Sequence, residues 1–523
     1  MLLPDDWQVK PESEWRLREI QVKALTALRD HKRGFFGIGV GGGKTLLTML
    51  ANRALGIEPS EVIALTTASL RDEADLEFEK YRRELDVDYI PMVSYSELSR
   101  NKKLLWEREP KCIICDEVHK LKNQNTVRTR SFVRYMKDFP DTSFIPMTGT
   151  LTTTSIRDYI HLFALAVGRD RNPLPDPWDR WPQVETLSRV LDPSPEIPPD
   201  DYDYRQAAWL LNKKDDESFR EAFHRVLTSV PFVILSEESE FDGPLEMKEW
   251  EPEVPITLRN TVKDIKEGML PSGEFIANQT SLWQKKHQAA TGFYYRFLWT
   301  DEHSPEYHRV TRGLHDYIQD TIKKEKRKKF GLTTDAQVLN ALRSGELTSQ
   351  AYEDWLPFSE IPDPEREPVI LTEKILRESI LFCRSLLTDG VGILLWYEYE
   401  TQRDLFRGFA EEFEDVVVVE PNEAPPRNLE SPLVAVVSKY SHSTGINLQD
   451  DYSVNVDICP NPNIGQYEQY LGRTHRPGQK QGVVCYTNQS FPFFKDALYK
   501  AKRKAKYIEE TTKQKTKLLL AKG

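Results

Sequence analysis

Short apolar runs alternate with amphipathic stretches from Trp15 to about Ile160. Each run is short enough for one strand, and the stretches between them have the apolar spacing of helices, which indicates parallel strands joined by crossover helices. A second series of apolar runs follows in the C-terminal half of the chain. The pattern therefore predicts an α/β fold with two parallel sheets flanked by helices. The first series is FFGIGV, VIALTT, YIPMVSY, KCIICDE and SFIPMTGT, and the second is GILLWYE, VVVVEP, PLVAVVS, SVNVDICP and GVVCYT.

Shifts in composition divide the chain into candidate domains. A junction near 240–250 separates the two strand series, which predicts a first domain at 1–245 and a second at 246–523. The proline-rich segment at about 170–204 predicts a loop or surface protrusion. Within the second domain, the sequence predicts a charged insertion at about 302–367 with helical or irregular structure and a basic helical tail at 495–523.

Composition favours a globular protein with more than one core. The chain has 523 residues, of which 39% are hydrophobic and 11% aromatic, and this length predicts about two to four domains. It has no apolar run of about eighteen residues, and the N-terminus MLLPDDWQVK has early acidic residues, so neither a membrane span nor a secretory signal is predicted. Five scattered cysteines indicate a reducing compartment, and we expect a cytoplasmic protein.

The charge of the chain does not exclude a contact with nucleic acid. The net charge of −11 argues against nonspecific coating of a polyanion, but the local distribution of charge decides such a contact. Two runs are basic, 322–331 and the tail 495–523, the latter with nine Lys and one Arg against three acidic residues. Phosphate contacts and a solvated helix face are both compatible with each run.

Two cysteines have the CxxC spacing that is typical of zinc sites. Cys112 and Cys115 lie inside an apolar run, KCIICDE, that predicts a buried strand. A closed structural zinc site needs four ligands, and the chain has no second CxxC or histidine pair at ligand spacing. We therefore predict that both cysteines are core residues.

A glycine-rich loop follows the first apolar run, in the sequence GFFGIGVGGGKTLLTML at 34–50. Exposed loop amides and a helix N-terminus attract phosphate, so Gly41 and Gly43 are candidates for a phosphate cradle. Lys44 would then reach the β- and γ-phosphates, and the hydroxyl of Thr45 would bind Mg²⁺. A flexible loop without a ligand is the alternative for this stretch alone.

Two carboxylates end a later apolar strand, in CIICDEVHKLKN. Asp116 would hold the metal directly or through water, and Glu117 would orient and deprotonate the attacking water. A surface loop that happens to begin with two acidic residues is the alternative. The glycine-rich Lys-Thr loop in the same predicted sheet favours a Mg-nucleotide site.

Two arginines lie three residues apart in GQYEQYLGRTHRPGQKQ at 465–481. This spacing places Arg473 and Arg476 on one face of a helix or tight turn. A guanidinium at the γ-phosphate stabilises the charge that spreads during phosphoryl transfer and contributes about 10³ to 10⁵ in rate. Since both arginines belong to the second predicted domain, catalysis would depend on closure of the two domains.

These segments together resemble the motifs of superfamily II helicases and translocases, most closely the SWI/SNF branch and its bacteriophage members. The resemblance covers nearly the whole chain. LREIQ resembles the adenine-recognition segment, with Gln21 as its glutamine, and GGGKT resembles motif I. The remaining similarities are DEVHKLKN to motif II with His119, MTGT to motif III with Thr148, Gly149 and Thr150, STGINLQ to motif V with Gly445 and Asn447, and QYLGRTHRPGQ to motif VI with Gln469 and both arginines.

The resemblance implies two RecA-like lobes, with ATP and Mg²⁺ in the cleft and DNA across both lobes. It implies an ATP-dependent DNA motor, a DNA-stimulated ATPase that translocates on DNA in the cytoplasm of a bacterium or a phage-infected host. The residues of motifs III and V and His119 would couple the nucleotide to the DNA. An RNA-directed helicase, a nucleotide-binding scaffold with a lapsed ATPase and a small-molecule kinase are the alternatives.

Overall fold

The protein is described by a computed structural model. The structure describes residues 16–522 apart from 40–41, 68–70, 72–76, 84, 86, 150–154, 196, 237–240, 242, 267, 273, 275, 277–278, 299–303, 326–331, 333–334, 360–364, 389–390, 422 and 444–446.

The first lobe contains a six-stranded parallel sheet in the order β3-β2-β4-β5-β1-β6. Helices cover both faces, so the inner strands are buried and have continuous apolar sequences instead of alternating ones. The prediction of a first parallel sheet is confirmed. Its strands are β1 (Phe35–Gly37), β2 (Val62–Thr66), β3 (Met92–Ser94), β4 (Cys112–Cys115), β5 (Ser143–Thr148) and β6 (Val233–Leu235).

The helices of the first lobe pack against this sheet around one core. They are α1 (Glu19–His31), α2 (Lys44–Leu55), α3 (Tyr95–Arg100), α4 (Leu104–Arg108), α5 (Val127–Asp138), α6 (Ile160–Val167), α7 (Trp181–Leu191), α8 (Asp201–Leu210) and α9 (Phe219–Thr228). Short 3₁₀ turns at Pro59–Glu61, Val118–Leu121, Ile156–Asp158 and Arg169–Arg171 connect some of them.

The proline-rich segment differs from the predicted loop or protrusion, because it contains α7 and the first turn of α8. Val184, Leu187 and Leu191 of α7 are fully buried in the core of the first lobe. The proline of α7 lies in the first helical turn, where the amide of a residue has no partner within the helix. The prolines therefore delimit helices here and do not prevent them.

The second lobe contains another six-stranded parallel sheet, in the order β11-β12-β10-β13-β14-β7. Two parallel sheets flanked by helices are consistent with two RecA-like domains, as the sequence predicts. A separate antiparallel pair is formed by β8 and β9. The strands are β7 (Leu245–Trp250), β8 (Phe293–Phe297), β9 (Arg366–Ile370), β10 (Gly392–Tyr397), β11 (Val416–Val418), β12 (Leu433–Ser438), β13 (Tyr452–Asp457) and β14 (Val483–Asn488).

The helices of the second half lie on the six-stranded sheet, beside β8, in the insertion and in the tail. The described part of the insertion between β8 and β9 contains helices with a small core of their own, which includes Leu314, Ile318 and Tyr352. The helices are α10 (Ile256–Lys266), α11 (Gln279–Ala290), α12 (Ser304–Glu325), α13 (Asp335–Ser344), α14 (Gln350–Ser359), α15 (Lys374–Ser385), α16 (Glu400–Ala410), α17 (Ile464–Thr474), α18 (Pro492–Thr512) and α19 (Lys517–Leu520).

The basic tail is helical, and α18 packs on both lobes. Tyr507 belongs to the core of the first lobe, and its hydroxyl lies 3.3 Å from Asp192 Oδ1. Ala501 and Ile508 belong to the core of the second lobe. The chain then runs beside β7, where the Met247 amide donates to the carbonyl of Lys522 at 2.8 Å. One face of the tail helix therefore joins the lobes, and only its opposite face is available to other contacts.

The structure bears on two predictions from the sequence, the burial of Cys112 and Cys115 and the lack of a membrane span. All five cysteines are buried thiols. Cys112 and Cys115 lie in β4 within the core of the first lobe, which confirms that they are core residues. No helix of the described ranges is both long enough and apolar enough to cross a membrane.

Candidate functional site

The glycine-rich loop connects β1 to α2 at the carboxyl edge of the first sheet. Lys44 begins α2, and its side chain folds back so that Nζ donates to the carbonyls of Ile38 at 3.2 Å and Gly39 at 3.1 Å. Lys44 is only 9% exposed, and Thr45 follows it in the first helical turn. Gly41 lies outside the described residues. The lysine and the helix N-terminus are therefore held beside the loop, as a phosphate site requires.

Gln21 of α1 is attached to the same loop. Its Nε2 donates to the carbonyls of Gly42 and Gly43, both at 3.4 Å, and its Oε1 accepts from the amide of Arg18 at 2.9 Å. The side chain is 1% exposed. Gly43 has φ +72°, in the left-handed region that glycine adopts at low cost. The structure thus places Gln21 at the predicted cradle, where its amide orders the loop.

The two carboxylates follow β4 at the same edge of the sheet, because β4 and β1 are parallel, and only β5 separates these two strands. The amide of Asp116 donates to the carbonyl of Leu65 at 2.9 Å, and Asp116 Oδ1 accepts from the amide of Glu117 at 2.9 Å. The hydroxyl of Tyr95 donates to the Asp116 carbonyl at 2.7 Å. Glu117 has φ +53°, a strained conformation for a residue with a side chain and one that is concentrated at functional sites.

The carboxylates differ in their electrostatic environment. Burial raises the pKa of Asp116, although the charge of Lys44 opposes this shift. Burial also acts to raise the pKa of Glu117, but His119 and Lys44 outweigh it and hold that pKa below its usual value. His119 Nδ1 lies 3.0 Å from Glu117 Oε2. Glu117 is therefore ionised at neutral pH, and Asp116 is a partly buried carboxyl that a bound cation would keep ionised.

The segment that resembles motif III touches the loop directly. Gly37 of β1 pairs with Thr148 of β5, and the amide of Ile38 donates to the carbonyl of Thr148 at 3.0 Å. Thr148 is 1% exposed, and Gly149 follows it where the strand ends. Thr150 lies outside the described residues. A shift of this segment would therefore be transmitted to the loop through backbone hydrogen bonds.

The second lobe contributes Gln469 and Arg473 from α17 and Arg476 just after it. Arg473 is 6% exposed, and its Nε donates to the carbonyls of Ser443 at 2.8 Å and Gln469 at 3.3 Å. Arg476 Nη1 donates to Asn447 Oδ1. Gly445 lies outside the described residues. Both arginines are thus tied to the segment that resembles motif V.

The end of α17 is also tied to the junction between the lobes. His475 is fully buried, and its Nε2 lies 2.8 Å from the carbonyl of Gly243, just before β7. Lys517 Nζ donates to the carbonyl of His475 at 2.8 Å. The segment with the two arginines is therefore linked to the interlobe connection and to the tail.

A cleft between the lobes is lined by some of the predicted site residues of each lobe, His119 from the first and Gln469 from the second. It contains a cavity of about 540 Å³, and the described lining includes none of the predicted catalytic residues Lys44, Asp116, Glu117, Arg473 and Arg476. Burial raises the pKa of Tyr81, in the first lobe, to about 12, although the charges of Arg18 and Arg476 oppose this shift. Arg476 is therefore close enough to the first lobe to act on it electrostatically. Cavity-lining residues from the two lobes include His119, Lys120, Tyr159, Ser443, Gln466 and Gln469.

Two residues of the site were not predicted from the sequence. Tyr95 fixes the backbone of Asp116, although nothing in the sequence links α3 to the end of β4. Lys439 follows β12, lines the cleft and is buried, with Nζ 2.6 Å from Asp457 Oδ1. A lysine and an aspartate that directly follow or end apolar strands are the signal that could have revealed this pair.

Comparison with known proteins does not assign the chain to a family. A scan against protein-family models gives no match, and a search of curated proteins finds no significant relative.

Proposed function

We propose that the protein is an ATP-dependent DNA motor, a DNA-stimulated ATPase that translocates on DNA. One observation carries the proposal: Lys44, Asp116 and Glu117 lie at the carboxyl edge of one parallel sheet, and Arg473 and Arg476 lie at the end of α17, which follows β13 of a second parallel sheet. A single-lobe kinase would not need this second group of residues.

In the proposed mechanism each residue has one task. Gln21 and Gly43 shape the loop, and Lys44 neutralises the β- and γ-phosphates. Thr45 and Asp116 would hold Mg²⁺, which supplies charge neutralisation when it is bound. Glu117 accepts a hydrogen bond from the attacking water.

Closure of the cleft completes the site. It brings a guanidinium from the second lobe towards the γ-phosphate and joins the segments at His119, Thr148 and Asn447 that would couple hydrolysis to DNA. This dependence on closure provides the mechanical step of the motor.

The experiment that tests the proposal measures ATPase rates without nucleic acid and with single-stranded, duplex and forked DNA and RNA. We expect duplex or forked DNA to raise the rate and Lys44→Ala to abolish it, because the mutation removes the charge at the phosphates. Lys44→Ala also controls for contaminating ATPases. Stronger stimulation by RNA would support an RNA-directed helicase, and a rate that no nucleic acid changes would contradict the motor.

A pair of glycines provides a matched test of the nucleotide loop. Gly43 and Gly56 have nearly equal φ, +72° and +71°, so alanine costs a similar strain at both, about 1 kcal/mol. A Cβ at Gly43 would overlap Gln21 Nε2, whereas a Cβ at Gly56 meets nothing within 4 Å. We expect Gly43→Ala to weaken ATP binding by about tenfold, or about 1.4 kcal/mol. Gly56→Ala should bind ATP like the parent, and equal affinities in a titration of both variants would contradict the assignment of the loop.

A further inference from the structure

Three potential metal ligands converge at the carboxyl edge of the second sheet. His287 comes from α11, Glu398 follows β10 and Cys459 follows β13. One donor atom of each lies within 4.8 Å of the others. The histidine and the cysteine are fully buried, and the carboxylate side chain is 6% exposed.

The histidine is oriented as a metal ligand would be. Its Nε2 lies 2.6 Å from the carbonyl of Pro460, a separation at which Nε2 carries the proton and donates it. Nδ1 is then the unprotonated nitrogen, and it lies 3.1 Å from Cys459 Sγ. Metal-binding histidines commonly donate their second N–H to a backbone carbonyl in this way, which fixes the tautomer and the ring.

The carboxylate is poorly satisfied by its protein neighbours. Its oxygens are 3.4 Å from the hydroxyl of Tyr440, 3.4 Å from Asn461 Nδ2 and 3.9 Å from Lys439 Nζ. Hydrogen bonds to a carboxylate are usually about 2.7–2.9 Å long. A buried carboxylate with only long contacts is costly, and a cation beside Glu398 would remove that cost.

The surrounding charges balance once a divalent cation is present. Lys439 is fully buried, with Nζ 2.6 Å from Asp457 Oδ1. A divalent ion and this lysine supply three positive charges. The carboxylates of Asp457 and Glu398 and the thiolate of Cys459 supply three negative ones. A thiol must lose its proton to bind a metal, so the ion would release one proton from Cys459.

We propose that His287, Glu398 and Cys459 form a binding site for a divalent transition metal, with zinc as the preferred ion. An imidazole, a thiolate and a carboxylate are all zinc ligands, and a bidentate carboxylate completes four bonds with three residues. Zinc–nitrogen and zinc–sulfur bonds at a tetrahedral angle hold the two atoms about 3.6 Å apart, so binding widens the gap between His287 and Cys459 by about half an ångström. The ion fastens α11, which leads into β8 and the insertion, to the second sheet.

The test measures the metal content of the purified full-length chain and of two alanine variants. We expect about one zinc per chain in the parent and in Cys383→Ala, and less than a tenth of that in Cys459→Ala. Cys383 is the matched control because it is also a fully buried thiol of the second lobe, in α15. Equal zinc in parent and Cys459→Ala would overturn the proposal.

A second measurement does not depend on the folding of a variant. The parent is stripped with a chelator and loaded with Co²⁺ alone, which should produce the near-ultraviolet absorption of a cobalt–thiolate bond and tetrahedral visible bands. A parent that contains no zinc and shows no thiolate absorption with Co²⁺ would overturn the proposal. The close His287–Cys459 contact would then be an ordinary S–H···N hydrogen bond. Neither result depends on ATPase activity.

Discussion

Glu117→Gln is expected to stop ATP turnover while Mg-ATP binding stays within a few-fold of the parent. The substitution keeps the size of the side chain but removes the charge that orients and activates water. Loss of a positioned general base typically costs about 10² to 10⁴ in rate. His119 and Lys44 hold the pKa of Glu117 low, so the parent carboxylate is ionised at any pH near neutrality. Single-turnover hydrolysis and nucleotide titration measure the two effects separately.

Asp116→Asn is the comparison variant, because it removes the neighbouring charge and leaves the carboxylate of Glu117 in place. Asp116 is proposed to hold the metal, so the main effect expected in this variant is a loss of Mg²⁺-dependent affinity for ATP. If Glu117→Gln abolishes binding while Asp116→Asn preserves it, the two roles are exchanged. A Glu117→Gln variant that hydrolyses ATP at the parent rate would show that the Glu117 carboxylate does not activate the water.

The parallel sheets could be predicted from the sequence, because strands buried on both faces are continuous apolar runs. The residues at the ends of these runs could also be predicted to lie together, since the carboxyl ends of parallel strands share one edge. Asp116 is predicted in this way from the strand that precedes it, whereas Lys44 is predicted from its glycine-rich loop and Thr148 from the resemblance of MTGT to motif III. The two arginines are predicted to belong to the second lobe because they lie within the second series of apolar runs.

Other features depend on contacts that no local pattern records. The proline-rich segment is helical because α7 buries Leu187 and Leu191 in the first core, and composition alone does not show which helix finds such a partner. The tail joins both lobes through Tyr507 and Ile508, although its charge suggested a solvated face or a phosphate contact. His287 and Cys459 are far apart in sequence and meet only through the topology of the second sheet.

Arg476→Ala is expected to lower ATP hydrolysis by about 10³, on the scale of a missing arginine finger. Arg473 is almost fully buried and bonded to the carbonyls of Ser443 and Gln469. Arg476 is more exposed, is held by Asn447 and acts electrostatically on Tyr81 of the first lobe. Arg476 is therefore the better candidate to reach the γ-phosphate when the cleft closes.

The experiment compares ATPase rates of the parent, Arg476→Ala and Arg476→Lys with and without duplex DNA. ATP binding to the first lobe should persist in both variants, but DNA should no longer stimulate the residual rate, because closure then brings no guanidinium to the phosphate. Lysine should not rescue the activity, since a point charge does not reproduce the planar fork of arginine. Arg384→Ala is the control, because Arg384 is a partly exposed arginine of the second lobe that pairs with Asp415 at 2.8 Å. Strong DNA stimulation in Arg476→Ala would make Arg476 a structural residue and leave Arg473 as the only arginine of this segment to complete the site.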